Sequence, residues 1–491
     1  MRISPVLLLL AATALSGSAS AASIFLPGNL VVSVEGNGSN TGAYATNQAA
    51  PLTLYAFSHN GTSSATLTGS MALPQNDSGA NHAISGEYGS SSEGGLQLTG
   101  DGQHLVIAGY GVNADTFNAN PALYGPLDPT KPNALAQSSS SLVPRVIAVI
   151  GADGSVDTTT ALTNVFNGNN PRSVASQNGT SFYISGQGNN PAAGPDSTGG
   201  VFFATLGANS ATPITGNDTV KSKTDSTPAA QDTRIVHIVN GQLYVSVDSK
   251  EGTGSNRDYI GTLGSGLPTG LTGGPVQLSN FATSNAGKQA ITFSTGNGIN
   301  VASPGGSLNV NLSPEDFFFA DANTLYVADS GNPKNDSQNT IGDGGLQKWS
   351  LIAGKWTLDY TLADGLGLVA NTHTCLVGGV ATPCGTSGLL GLTGQVVGGQ
   401  VQLFATNYTL GETDQTYLFG ISDALASLAK PVGESFTTLA IAPADTTFKG
   451  VAFAPQAAVP EPAAYALMIT GFGLIGGVMR RRRFASLGWR A

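Results

Sequence analysis

Six carboxylates stand in or beside stretches rich in Asn, Gly and Ser: Glu35, Asp248, Asp258, Asp329, Asp336 and Asp343. Hard oxygen donors of this kind are what a calcium ion gathers, and two carboxyls brought within about 5 to 10 Å can do the acid and base work of glycoside cleavage. Neither an EF-hand spacing nor a nonapeptide calcium repeat accompanies them, so Ca²⁺ is an option rather than an expectation, and no other cofactor is indicated. The histidines, His59, His82, His104, His237 and His373, are scattered. His237 lies within an apolar run, where a hydrogen-bonded structural role is expected. His82, in the stretch Gly79 to Gly95 with Glu87 and Glu93 close by, is the histidine best placed for function. GxSxG elbows, HExxH helices, GxxxxGK[ST] loops and zinc-ligand pairs are all missing. The sequence thus marks a candidate ligand face of Glu35, His82, Asp248, Asp258, Asp329, Asp336 and Asp343, and assigns no catalytic residue.

The elements that must carry this face are strands. A β-branched and aromatic run recurs six times, as Leu30-Val31-Val32-Ser33-Val34, Leu105-Val106-Ile107-Ala108, Phe182-Tyr183-Ile184-Ser185, Leu243-Tyr244-Val245-Ser246-Val247, Leu325-Tyr326-Val327-Ala328 and Leu403-Phe404-Ala405-Thr406. Turn signals such as Gly100-Asp101-Gly102, Asn178-Gly179 and Asn240-Gly241 precede several of them, and another strand-like stretch precedes each turn. A long polar loop and a further strand follow each run. Four antiparallel strands repeated every 60 to 80 residues or so describe the blades of an all-β propeller. Phe448 to Phe453 has no partner after it and Leu30 to Val34 none before it, so together they would close the ring. The count is six blades, or seven if Gln289 to Val301 belongs to another. In such a ring the loops between second and third strands gather at one mouth of the channel, and they include the acidic stretches above.

Composition agrees with an exported β protein. Only 10% of residues are charged, with 66 glycines, and the formal net charge is −10. An acidic surface repels nucleic acid and leaves cations or neutral ligands as partners. The two cysteines, Cys375 and Cys384, are expected to close a small disulfide loop in an oxidising compartment.

Both ends of the chain read as routing signals. Arg2, the apolar Val6 to Leu15 and Ala19-Ser20-Ala21 make a secretory leader over residues 1–22, implying Sec-type export machinery. At the other end, residues 457–491 hold Val459-Pro460-Glu461-Pro462, an uncharged apolar run from Ala463 to Met479, and Arg480-Arg481-Arg482-Arg483. Seventeen residues at about 1.5 Å each reach about 25 Å, enough for a transmembrane helix across a slightly thinned bilayer, and the arginines hold its end in the cytoplasm. Gly471-Phe472-Gly473-Leu474-Ile475-Gly476 matches a dinucleotide fingerprint, but inside an apolar run with no βαβ context the match is empty. Losing Arg2 and the five tail arginines leaves 14 basic against 30 acidic residues and moves the net charge from −10 to −16.

The tail resembles the PEP-CTERM sorting signal of exported bacterial proteins. That resemblance implies recognition and cleavage by exosortase, and an association with extracellular polysaccharide and biofilm. The expectation is an inner-membrane-anchored precursor that ends at the cell surface or outside, with the body over residues 23–456 binding glycan or protein without turnover. The alternative is an extracellular polysaccharide hydrolase or lyase using acidic loop residues such as Glu35, Asp248 or Asp329.

Overall fold

In a computed structural model the residues described are 24–39, 42, 44–188, 198–215, 220–221, 228–229, 233–248, 258–279, 288–291, 308–311, 313–331, 344–368, 374–377, 380–383 and 385–457. They form six four-stranded antiparallel sheets. Sheet one comprises Thr446–Phe453, Leu30–Gly36, Ala49–Asn60 and Ser64–Ala72, from the axis outward. Sheet two runs Leu96–Leu98, His104–Tyr110, Arg145–Gly151 and Val156–Leu162; the short strand Ser85–Glu87 ties it to sheet one. Sheet three holds Pro171–Ser176, Ser181–Gly186, Gly200–Thr205 and Thr212–Pro213, and sheet four Thr233–Val239, Gln242–Asp248, Asp258–Thr262 and Val276–Gln277. Sheet five holds Pro314–Asp321, Thr324–Asp329, Gly345–Ile352 and Lys355–Leu362, and sheet six Thr386–Val397, Gln400–Thr409, Tyr417–Ala424 and Thr437–Ile441. Local sequence sets the hairpins. Val239 faces Gln242 across Asn240-Gly241, both with positive φ (50° and 75°), the two-residue turn whose twist matches the strands.

The first strands follow one another in a closed circuit, each packed on the next, and Thr446–Phe453 returns the circuit to Leu96–Leu98. Leu30 pairs with Phe453 and Gly36 with Thr446, so one sheet is built from both ends of the body. Closure packs the first and last sheets on each other and so buries the two sheet faces that an open row would leave exposed. Apolar side chains pack between neighbouring sheets. Val31 faces sheet two with Leu105 and Ile107, whereas Leu30, Val32 and Val34 face sheet six with Phe404 and Leu418. Burial on both faces is why the runs read as continuously apolar rather than alternating.

A hydroxyl at the fourth position of the repeated run fastens the ring. In sheets one, four and six two residues of the first strand bulge opposite one hydroxyl residue, Ser33, Ser246 or Thr406. Each hydroxyl accepts from a bulged backbone N–H: Gly450 (2.8 Å), Ile235 (3.0 Å) and Gly391 (3.0 Å) respectively. Each also donates to a carbonyl at the neighbouring sheet, Gly94 (2.6 Å), Glu315 (3.0 Å) and Lys449. Ser185 of sheet three donates to Arg234 O at 2.5 Å in the same way. The bulge would otherwise bury an unmade donor, at a cost of about 1–3 kcal/mol.

Lys288–Ile291 and Leu308–Asn311 pair with each other and, among the described residues, join no four-stranded sheet. Residues 1–23 and 458–491, with the leader and the sorting tail, lie outside the described residues. No helix among the described residues is long and apolar enough to cross a membrane. Cys375 stands opposite Thr382 in a hairpin, and Cys384 lies outside the described residues.

Candidate functional site

Gly95, Arg234-Ile235, Glu315-Asp316, Leu390-Gly391 and Gly450, in or just before the first halves of five first strands, surround one cavity, and later residues of the same five surround another, so these strands run the same way along the axis. The axis therefore has a loop end, where the first strands begin, and a turn end, where they stop.

The loop end is closed by charge. The segment after Ser85–Glu87 crosses it, held by Ser91 Oγ to Tyr408 Oη (2.8 Å) and by Asn170 Nδ2 donating to Ser90 Oγ (3.1 Å). Beneath it Glu35, Glu87, Glu93 and Lys449 are all buried. Lys449 Nζ lies 3.4 Å from Glu35 Oε2 and also donates to Ser90 O. Glu93 accepts from Tyr110 Oη (2.6 Å), from the Glu87 backbone N–H (3.2 Å) and from Asn170. Glu87 accepts from the Ala136 backbone, which fixes the loop that holds the short helix Ala114–Ala119. Glu35 Oε1 has no hydrogen-bond partner among the described residues. A cavity of about 10 Å³ between Glu93, Arg234, Glu315 and Asp316 has room for one water, not for a substrate.

Burial pushes the Glu35 carboxyl up to about 8, against the pull of Lys449 and with a further push from Glu93. Burial also raises Glu87 and Glu93. Between the ordinary carboxylate range and pH 8 the folded protein keeps a proton on Glu35 that the unfolded chain gives up, so each step up in pH in that window favours unfolding. Thermal unfolding followed by calorimetry should show Tm highest near pH 5 and falling towards pH 8. Glu35→Gln should remove the Glu35 share of that slope and leave the part due to Glu87 and Glu93; a slope unchanged in the variant would place its origin in those two alone.

The turn end is open. A cavity of about 390 Å³, the size of a small-ligand pocket, is lined by Leu98, His237, Ile238, Phe317, Phe319 and Phe453 among others. Among its polar groups, with Gln97, Asn240 and Thr393, is His237, which is paired with Asp316. His237 Nε2 is 2.7 Å from Asp316 Oδ1, and the imidazole stands edge-on to Phe317 at 4.7 Å. Asp316 is itself fixed by the backbone N–H groups of Phe317 (2.7 Å) and Leu392 (2.8 Å). With Nε2 occupied, Nδ1 is the ring nitrogen left to bond a ligand, and His237 retains 23% side-chain exposure.

The residues marked by sequence are distributed differently. Glu35 and Asp329 end their strands buried rather than in open loops; Asp329 accepts from Gln347 Nε2 (2.6 Å), Gly331 N (2.8 Å) and Ser313 N (3.1 Å). Asp248 and Asp258 are brought into register opposite each other at the loop end of sheet four. Asp336 and Asp343 lie outside the described residues. His82 belongs to the outer rim and not to the loop mouth. Asn81 Oδ1 accepts from Thr158 N (2.7 Å) and the His82 carbonyl from Thr158 Oγ1 (2.7 Å), which ties this stretch to the outermost strand of sheet two. Glu87 and Glu93, noted only as neighbours of His82, go to the axis instead. Lys449, Arg145, Arg234, Glu315 and Asp316 were missed, and the signal for each was a charge at or near the start of an otherwise apolar strand.

No protein-family model and no curated protein matches the chain. Among solved structures it is similar to a putative glucose dehydrogenase-type oxidoreductase from Thermus thermophilus, with 11% identity, TM-score 0.31, and 83% of this chain and 99% of that one covered. It is also similar to the β-propeller domain of the trilobed protease from Pyrococcus furiosus (8% identity, TM-score 0.26, 78% and 96% covered) and to an endo-arabinase from Bacteroides thetaiotaomicron (14%, 0.27, 53% and 77%). Likeness at this level carries nothing about activity.

Proposed function

We propose that this chain is an exported six-bladed β-propeller that binds an uncharged ligand, such as the end of an extracellular glycan, in its axial cavity and does not turn it over. The observation that carries this reading is the cavity of about 390 Å³ at the turn end, walled by Phe317, Phe319 and Phe453 and equipped with His237 on Asp316. Flat apolar walls with a few placed polar groups are what small-ligand sites are made of. Routing rests on the sequence. The leader, the Val459 to Pro462 motif, the apolar run and Arg480 to Arg483 support export, exosortase processing and delivery to the surface or matrix. The closed circuit of first strands supports the six-blade count.

The His237–Asp316 dyad also favours the alternative of a polysaccharide hydrolase or lyase, because an oriented imidazole can move a proton. Glu35 and Asp329 support it less, being buried and engaged within the fold. Titration calorimetry of the purified chain with a panel of neutral oligosaccharides separates the two. Saturable binding without release of reducing ends is expected, and His237→Ala should weaken Kd about tenfold, the worth of one good hydrogen bond. Release of reducing ends that His237→Ala abolishes would replace the binding reading with the enzymatic one.

A further inference from the structure

Large aliphatic side chains are exposed on the turns around the open end of the axis: Leu26, Leu206, Leu267, Ile352, Val396 and Val397, each between 37% and 54% exposed. Their turns belong to five different sheets, and their place at this end follows from bonding. Leu206 N donates to Thr180 O in the first turn of sheet three (2.9 Å), and Gly266, beside Leu267, bonds Gln242 and Leu243 in the first turn of sheet four. Ile352 and Val397 each open a two-residue hairpin at the same end. Inside this ring lies the cavity, whose lining includes Phe317, Phe319 and Phe453.

Exposed leucines alone select nothing, for Leu123 and Leu142 are exposed on the loop side as well. The path of the chain selects. Thr446–Phe453 is the closing first strand and stops at the turn end; Ala454 N then bonds Asn29 O and Gln456 N bonds Gly102 O, each at 2.8 Å, on this same face. The apolar run begins at Ala463, six residues past Ala457, the last residue described. Six residues span at most about 20 Å fully extended. A run inserted in a bilayer therefore holds this face, and not the loop face, within about the depth of a headgroup layer or two of the hydrocarbon. At so short a tether the local concentration of lipid is high, and weak apolar contacts suffice to seat the face.

We infer that the turn face of the body lies on the lipid surface in the membrane-held precursor, with the aliphatic turn residues in contact with the bilayer and the loop face turned away from it. This rests on the reading of residues 463–479 as a membrane span. A consequence is that the axial cavity opens towards the membrane until the tail is cut, and becomes freely accessible to glycan only afterwards.

The full chain, tail intact, reconstituted in phosphatidylcholine vesicles tests it, with tryptophan introduced singly as Val397→Trp, Ile352→Trp and, on the loop side, Leu123→Trp, and with bromine on the lipid acyl chains near the headgroup. After an alkaline carbonate wash the chain should stay with the vesicles, and the emission added by Val397→Trp and Ile352→Trp should be largely lost to bromine while that of Leu123→Trp is kept. A chain that resists the wash but shows no greater loss at 397 and 352 than at 123 overturns the orientation while sparing the span. The orientation falls equally if these positions are shielded from water by a second copy and not by lipid. A chain that washes off removes the span, and the orientation with it.

Discussion

Lys348→Met should destabilise the protein by about 3–5 kcal/mol, the cost of leaving one member of a buried ion pair without its counter-charge. Lys348 Nζ lies 2.9 Å from Asp423 Oδ2, and neither side chain reaches solvent. Lys348 also donates to Ala424 O (2.6 Å) and Tyr360 Oη (3.1 Å), while Tyr326 and Tyr360 both donate to the Asp423 carboxylate, the latter at 2.7 Å. Burial, and then the hydrogen bond to Asp423, push both phenols well up and keep them as donors. Tyr326, Lys348 and Tyr360 belong to three strands of sheet five, and Asp423 to sheet six, so the network is a tie between sheets of the ring.

The pair itself need not be stabilising. Desolvating two charges costs about as much as their attraction returns, and the large penalty comes from breaking the pair, not from lacking it. Lys348→Met combined with Asp423→Asn should therefore be no less stable than Lys348→Met alone, with a coupling of about 2 kcal/mol or more in the cycle. Urea unfolding of the wild type, both single variants and the double variant measures it. Additive losses would mean that the methionine cavity and the altered amide act separately and that no charge tie joins the two sheets.

What could be read from the chain follows the range of the interactions. The strands were legible because each run is buried on both faces and punctuated by Asn-Gly or Gly-Asp-Gly, signals that lie within a few residues. Closure was legible too: Phe448 to Phe453 and Leu30 to Val34 were each without a partner, and Val34 pairs with Phe448 and Leu30 with Phe453. The charges were not. Glu35 precedes Gly36-Asn37-Gly38 and so looks like the start of a loop, but its strand pairs with Thr446–Phe453 from the far end of the body, which buries the carboxyl beside Lys449. His237 is hydrogen-bonded, as a histidine in an apolar strand should be, yet its partner Asp316 stands in the next sheet. The hydroxyls of Ser33, Ser246 and Thr406 occupy equivalent places in the repeat, but the bulges they serve exist only once the first strands are paired. Pairing across sheets is set by the closed ring, and no local window contains it.

Arg145→Lys should cost about 3 kcal/mol and loosen the loop end of sheet two, although the charge is kept. The Arg145 guanidinium is buried at the start of its strand, stacked on Tyr110 with its carbon 4.6 Å from the ring centre. Its two terminal nitrogens donate to Val143 O (2.7 Å), Phe166 O (2.8 Å), Ser138 O and Asn169 O (both 3.1 Å) and Ser138 Oγ (3.3 Å). Those carbonyls belong to two separate segments, the long loop 111–144 and the connection 163–170 into sheet three. One planar fork thus does for the loops what the bulge hydroxyls do for the strands. An ammonium has three donors on one atom and cannot reach both segments at once, so two or more buried carbonyls would be left without a donor at about 1–3 kcal/mol each, offset in part by relaxation. Ser138, which the fork holds, lies two residues from Ala136, whose backbone N–H bonds Glu87, so the carboxyl cluster at the loop end should loosen with the loop. Hydrogen exchange read by mass spectrometry should accelerate over 111–144 and 163–170 in Arg145→Lys, with the strands of sheets four to six unchanged. Exchange that rises equally in every sheet would mean that Arg145 supports the whole ring, and no change at all would mean that Tyr110 and the loop hold themselves.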